Sequence, residues 1–222
     1  MGLFIALFVL LVVVGAFLFL GATEIAFERI GFSSEAFLGI LFLTFIGSMI
    51  NIPVKRYTNV QNIVEVHEVN YYWRTFRIPQ YAQKQVSTLV TVNLGGALVP
   101  VGVSLYLLAK HPETIIAALI GISVTSIVVH LIARKVRGVG IVTPAFIPPI
   151  VAAVASLLLW HGFDAGVIAY VSGTMGALIG ADLSNLRGIT SLGAPVVSIG
   201  GAGTFDGVFL TGIIAVILVA IF

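Results

Sequence analysis

Long apolar runs almost without charge dominate this chain and limit the folds open to it. Residues Gly2–Leu20 contain no charged side chain, and a transmembrane helix needs about 20 apolar residues to cross about 30 Å of hydrocarbon. Hydrophobic residues make up 59% of the chain and charged residues only 9%, whereas soluble domains carry about 25% charged residues. The sequence therefore predicts an integral membrane protein.

The spacing of the apolar runs predicts an all-α polytopic membrane protein with about seven transmembrane helices. Residues 1–222 are expected to form a single integral membrane domain. The expected spans are Gly2–Ala22, Ala36–Ile50, Val86–Ala109, Thr114–Ala133, Ala145–His161, Ala165–Leu183 and Asp206–Phe222.

Residues 51–85, between the second and third of these runs, are polar and predict a small β element on the membrane face. Ile63–Val69 and Trp73–Ile78 alternate apolar and polar residues, and this period of two is typical of strands. Aromatic residues suit the headgroup region, and this segment contains Tyr71, Tyr72, Trp73 and Tyr81. An interfacial hairpin without further role and an element that contacts substrate are both compatible with this pattern.

The basic residues predict the orientation of the chain. Nine of the 11 Lys and Arg residues fall in loops two, four and six, and only Arg29 and Lys110 fall on the other side. The positive-inside rule places the richer side in the cytoplasm. The expected location is the cell membrane, with several passes, a cytoplasmic N-terminus and an external C-terminus. The first apolar run is longer than the core of a signal peptide and follows no basic segment, so we expect it to be a membrane span.

Several function classes find no support in the sequence. The chain has no cysteine, which excludes disulfides, thiolate catalysis and cysteine-ligated metals. We find no phosphate-binding loop, no basic patch for nucleic acid and no metal motif, and His67, His111, His130 and His161 show no ligand spacing. We therefore expect no cofactor, no metal and no nucleic-acid partner. Membrane lipid is an expected partner, and an oligomer is compatible with the sequence.

Two aspartates, Asp182 and Asp206, are the predicted catalytic residues. They stand at the facing ends of the last two apolar runs, where an ionisable residue is costly and suggests function. Two close carboxylates do not both ionise easily, so one keeps its proton near neutrality. Such a pair provides a general base and a general acid, as water attack on an amide requires.

The segment Gly201-Ala202-Gly203-Thr204-Phe205-Asp206 resembles the glycine-x-glycine-aspartate motif of the intramembrane aspartyl proteases of the presenilin and signal peptide peptidase group. In this chain two residues separate the second glycine from the aspartate, and no Pro-Ala-Leu motif follows. The resemblance covers about the last 50 residues and implies a hydrolase that cleaves membrane-spanning peptides with Asp182 and Asp206. The chain is also similar to an uncharacterised prokaryotic membrane-protein family, which implies no activity.

Polar and glycine-rich positions near the two aspartates are predicted to support the site or contact substrate. Asn93, followed by two glycines and a proline, predicts a broken helix, and its amide could hydrogen-bond a carboxylate. Small residues allow a close approach of backbones and leave room for a peptide. The supporting residues expected are Asn93, Gly95, Gly96, Gly200, Gly201, Gly203, Thr204 and Gly207.

Two other functions remain open on the sequence. A secondary transporter or ion-coupled carrier would use the same aspartates and the broken helices as its ion or substrate site. In a non-catalytic membrane scaffold, Asp182 would be a helix-end residue facing water and Asp206 an N-cap, a position that aspartate favours.

Overall fold

The computed structural model describes residues 1–136, 140–191, 194–201 and 207–221. Within them the α-helices are α1 (Gly2–Arg29), α2 (Ser34–Gly47), α3 (Val99–Lys110), α4 (Ile115–Ile132), α5 (Ile147–Leu159), α6 (Asp164–Ala177) and α7 (Gly207–Ile221). The strands are β1 (Asn51–Tyr71), β2 (Arg74–Asn93), β3 (Arg134–Val136), β4 (Gly140–Val142) and β5 (Val196–Ile199). Two π-helical turns cover Leu94–Leu98 and Leu178–Asp182, and short 3-10 segments cover Pro112–Thr114 and Leu183–Ser191.

The prediction of an all-α protein with seven membrane spans is wrong. In the described part of the chain, three helices are long and apolar enough to cross a membrane: Gly2–Arg29, Pro112–Ile132 and Asp164–Leu186. The other apolar helices have only 10–17 residues, and they cover Ser34–Gly47, Leu94–Lys110, Ile147–Leu159 and Gly207–Ile221. These shorter helices fall below the length of about 20 residues that a span requires. The three long helices support the predicted association with a membrane.

A long β-hairpin replaces part of the predicted third span and extends the predicted β element beyond residues 51–85. Its strands pair antiparallel from Asn51 opposite Asn93 to Tyr71 opposite Arg74, and the buried residues among its described side chains lie near its base. Residues 86–93 were expected to be helical but end β2, because this stretch is rich in valine and threonine, which favour strands. The helix of this region begins only after the π-helical turn, at Val99.

The centre of the helical part is α6, which packs between α4 and α7. Added Cβ atoms at Gly176 and Gly180 would lie 2.5 Å from Thr125 Cβ and from the Ser126 carbonyl of α4, respectively. Higher-numbered residues of one helix contact higher-numbered residues of the other, so α4 and α6 run parallel. On its other side, α6 uses Gly173 against α7. Small residues thus allow the close backbone approach that membrane helices use for packing.

The elements meet at two opposite ends of the helical part. At one end, which we call the His111 end, Lys110 donates a hydrogen bond to the Gly31 carbonyl at 3.1 Å, and His111 lies beside Asp164. The opposite end, which we call the Asp182 end, contains the base of the hairpin and β5. There β5 pairs parallel to β2, and the sheet order β1-β2-β5 puts β5 at an edge.

Candidate active site at the end of α6

Asp182 closes the π-helical turn that follows α6. Single π-helical turns are rare and occur often at functional sites. The carbonyls freed at this helix end are satisfied locally, because Ser184 Oγ donates to the Gly180 carbonyl at 2.9 Å and Asn185 Nδ2 donates to the Ala181 carbonyl at 2.9 Å. These bonds fix the backbone from which the Asp182 side chain projects, and that side chain is half-buried.

The Asp182 carboxylate is tied to the glycine turn after β5. The Gly200 backbone N–H donates a hydrogen bond of 2.7 Å to Asp182 Oδ2, and a bond to an ionised acceptor is stronger than one between neutral groups. Gly200 has a φ of +80°, a conformation that only glycine adopts without strain. The predicted supporting residue Gly200 is therefore brought into direct contact with the predicted catalytic residue Asp182.

A cavity of about 240 Å³ opens beside Asp182. Its walls come from the end of α6, the edge strand β5, the segment before α5 and the start of α7. They include Asp182, Ser198, Gly201, Gly207, Thr211 and Pro148. The predicted residues Gly201 and Gly207 thus line the same cavity as Asp182, and a space of this size accommodates several water molecules.

Part of the predicted site lies outside the described residues. This applies to Asp206, Gly203 and Thr204. The described residue that follows Asp206 is Gly207, which begins α7 and lines the cavity beside Asp182.

Asn93 organises the base of the hairpin. It is almost fully buried, its Nδ2 donates to the Ser48 carbonyl at 2.7 Å, and its Oδ1 accepts from the Gly96 backbone N–H at 2.7 Å. Among the described residues, its amide therefore bonds two backbone groups and the side chain of Asn51. The link to the cavity is indirect, because Asn51 Oδ1 accepts from both Asn93 Nδ2 at 3.1 Å and Ser198 Oγ at 2.6 Å.

The glycines after Asn93 allow close contacts between segments. A Cβ at Gly95 would lie 2.0 Å from the Thr44 carbonyl oxygen of α2, and a Cβ at Gly200 would lie 2.6 Å from the Ala97 backbone nitrogen. The π-helical turn of Gly95 and Gly96 therefore sits between α2 and the turn that holds Asp182. The predicted residues Asn93, Gly95 and Gly96 thus support the Gly200 turn through backbone contacts.

Sequence reasoning missed several residues of this region. Ser184 and Asn185 cap the end of α6, Asn51 joins the two strands to β5, and Ser198 and Thr211 line the cavity. A serine and an asparagine directly after an apolar run are a recognisable helix-end signal. The pairing of Asn51 with Ser198 leaves no such local signal, because the two residues are 147 positions apart.

Comparison with known proteins gives a family without an assigned activity. No curated protein and no solved structure matches the chain. Residues 45–218 match a family model described as "Protein of unknown function (DUF1614)". The match covers the hairpin, the cavity and most of the helices. Because it spans more than three quarters of the 222 residues, the chain belongs to the DUF1614 family.

Proposed function

We propose that this chain is a membrane-embedded aspartyl protease that hydrolyses peptide bonds of membrane-spanning substrates with Asp182 and Asp206. The observation that carries the proposal is the cavity beside Asp182, which is lined both by this carboxylate and by Gly207. Gly207 directly follows Asp206 in the sequence. The resemblance of residues 201–206 to the glycine-x-glycine-aspartate motif supports the same assignment.

The chemistry follows from two carboxyl groups that share one proton. The ionised carboxylate takes a proton from a water molecule while the oxygen of that water attacks the peptide carbonyl carbon. The protonated carboxyl donates its proton to the carbonyl oxygen. Proton transfer to the amide nitrogen then allows the C–N bond to break, giving a carboxylic acid and an amine. The titration belongs to the pair rather than to either residue.

The edge strand β5 offers a means of holding the substrate. Val196, Val197 and Ser198 line the cavity, and β5 is at the edge of its sheet. A peptide that adds to a sheet edge gains backbone hydrogen bonds and becomes extended. An extended peptide exposes its carbonyl groups to attack, whereas a helical one uses them in its own hydrogen bonds. In this proposal the substrate contact is made by β5, whereas the sequence left open such a contact for residues 51–85.

We also propose that the Asp182 end faces the cytoplasm. The hairpin at this end carries Lys55, Arg56, Arg74 and Arg77, and Arg134 and Lys135 follow α4 at the same end. The His111 end carries Arg29 and Lys110. This asymmetry favours a cytoplasmic Asp182 end under the positive-inside rule.

The orientation is tested with topology reporters. A reporter inserted after Lys110, at the opposite His111 end, should read outside. A reporter inserted after Arg137 should read inside. Alkaline phosphatase and green fluorescent protein fusions, which are active on opposite sides, provide the two measurements. The reverse pattern would contradict the proposed cytoplasmic site.

An ion-coupled carrier is the second candidate, and the two π-helical turns favour it. Leu94–Leu98 precedes α3 and Leu178–Asp182 follows α6, both at the Asp182 end, and irregular backbone at membrane depth often lines ion sites. In this function Asp182 and Asp206 would bind a proton or a cation without hydrolysis.

The deciding experiment compares hydrolysis with transport in one preparation. The purified full-length chain in liposomes is mixed with a fluorescent membrane-spanning peptide, and products are identified by mass spectrometry. We expect two peptide fragments and inhibition by a hydroxyl-bearing transition-state analogue, since such analogues bind 10²–10⁸-fold tighter than substrates. Intact peptides combined with proton- or sodium-driven uptake would contradict the protease and support the carrier.

A further inference from the structure

Three metal-ligating side chains meet at the His111 end, far from the cavity of Asp182. His111 Nδ1 lies 3.2 Å from Asp164 Oδ1 and 3.4 Å from Glu113 Oε1. The three ligand atoms all lie within 4.8 Å of one another. The His111 side chain is 16% exposed, Asp164 26% and Glu113 50%, so the group is shielded on the protein side and open to solvent on the other.

The spacing of these atoms matches the first coordination sphere of a small divalent cation. Zn²⁺ binds histidine nitrogen and carboxylate oxygen at about 2.0–2.2 Å in a tetrahedral arrangement. Neighbouring ligands of a regular tetrahedron with such bonds are separated by about 3.3–3.6 Å. The separations of 3.2 and 3.4 Å at His111 are close to this value. Glu113 is the most exposed of the three, and movement of its side chain would bring the Glu113 and Asp164 carboxylate oxygens to the same separation.

The surrounding structure contacts both the backbone and the ring of His111. The Thr114 hydroxyl donates to the His111 carbonyl at 2.7 Å, and the Phe163 ring lies 6.5 Å from the imidazole, measured between ring centroids. His111 Nε2 is buried and has no hydrogen-bond partner among the described residues. The nitrogen available to a ligand is therefore Nδ1, which faces both carboxylates.

We propose that His111, Glu113 and Asp164 bind one divalent transition-metal cation of the Zn²⁺ type. One imidazole and two carboxylates suit borderline Zn²⁺ better than soft cations, which prefer sulfur ligands. Three protein ligands leave a fourth position for water. The expectation that the chain has no metal site is thereby revised, because Asp164 is distant from His111 in sequence and the spacing of the histidines does not reveal it.

The proposed cation would link two segments of the fold, and this proposal does not depend on the proposed protease activity. His111 and Glu113 belong to the turn between α3 and α4, whereas Asp164 opens α6. A bound cation would join this turn to the central helix. Asp182 lies 18 residues further along that helix, a distance of about 27 Å at 1.5 Å per residue, so the cation would take no part in hydrolysis.

The test is a titration of the full-length chain, purified in detergent and stripped with EDTA, with Zn²⁺ alone. Isothermal titration calorimetry should give one tight site per chain. His111→Gln, Asp164→Asn and Glu113→Gln should each weaken Zn²⁺ binding at least 10-fold. The Glu113 variant changes a half-exposed side chain, so it keeps the test valid if a more buried change disturbs folding. His161→Gln is the matched control, because this exposed histidine lies near Asp164 but outside the group.

A second readout uses Co²⁺ in place of Zn²⁺. Co²⁺ bound in a tetrahedral site should give intense visible absorption bands, and these should disappear in the His111 variant and persist in the His161 variant. Absence of a tight Zn²⁺ site in the parent protein, or equal affinity in parent and Glu113→Gln, would overturn the proposal. The group would then be a polar contact between His111 and its two carboxylate neighbours.

Discussion

Replacing either Asp182 or Asp206 with asparagine should abolish cleavage of a membrane-spanning peptide. Asparagine keeps the size and hydrogen-bonding capacity of aspartate but cannot exchange a proton near neutrality. General acid–base catalysis contributes about 10²–10⁴-fold to rate, and here one carboxyl activates the water while the other protonates the substrate, so both are required. We therefore expect a loss of at least about 10³-fold in kcat, measured by the appearance of peptide fragments.

The double variant should be no worse than either single variant, because residues that act as one unit show strongly non-additive effects. Glu35→Gln provides the control, since this exposed carboxyl lies on the first turn of α2, at the His111 end. It should cleave at the parental rate. Full cleavage by Asp206→Asn would end the protease proposal. Loss of ion-coupled uptake in the same aspartate variants, without any cleavage by the parent, would favour the carrier.

The sequence predicted the local features of the Asp182 end but not how they are joined. It located Asp182 at the end of an apolar helix and singled out the glycines after Asn93, because charge and glycine content are local signals. The broken helix predicted at Asn93 is wrong, because Asn93 ends strand β2 and the helix begins after it. The bond from Gly200 N–H to Asp182 and the parallel pairing of β5 with β2 depend on contacts between distant segments. No periodicity in the sequence reports such contacts.

The error in fold class has a physical cause in residues 86–93. Mean hydropathy alone does not separate this stretch from the apolar helix that follows, so the two were predicted as one span. Its valines and threonines are branched at Cβ, and they favour a strand. β1 satisfies the backbone groups of β2 up to Asn93. Pairing with a partner strand thus decided the structure of a segment that composition alone assigned to the membrane.

Gly200→Ala should destabilise the Asp182 end and impair the site at the same time. A φ of +80° at this position disfavours any residue with a Cβ, at a cost of about 1–2 kcal/mol. The added Cβ would also lie 2.6 Å from the Cβ and backbone nitrogen of Ala97, and overpacking of this kind costs typically about 1–3 kcal/mol. The two effects together predict a loss of about 2–5 kcal/mol in the free energy of unfolding.

Two other glycines separate the causes of this loss. Gly162 has a φ of +94° but nothing within 4 Å of an added Cβ, and Gly102 has neither a positive φ nor such a contact. Gly162→Ala should therefore lose only the free energy that the positive φ costs a residue with a Cβ. Gly102→Ala in α3 should be neutral or slightly stabilising, by up to about 1 kcal/mol. Thermal denaturation midpoints in one detergent should rank the variants Gly102, Gly162 and Gly200 from most to least stable.

Because any movement of the Gly200 backbone removes its N–H from Asp182, cleavage should fall in Gly200→Ala and stay near the parental rate in Gly162→Ala. Equal stability and equal activity of these two variants would mean that the turn at Gly200 does not hold the Asp182 carboxylate.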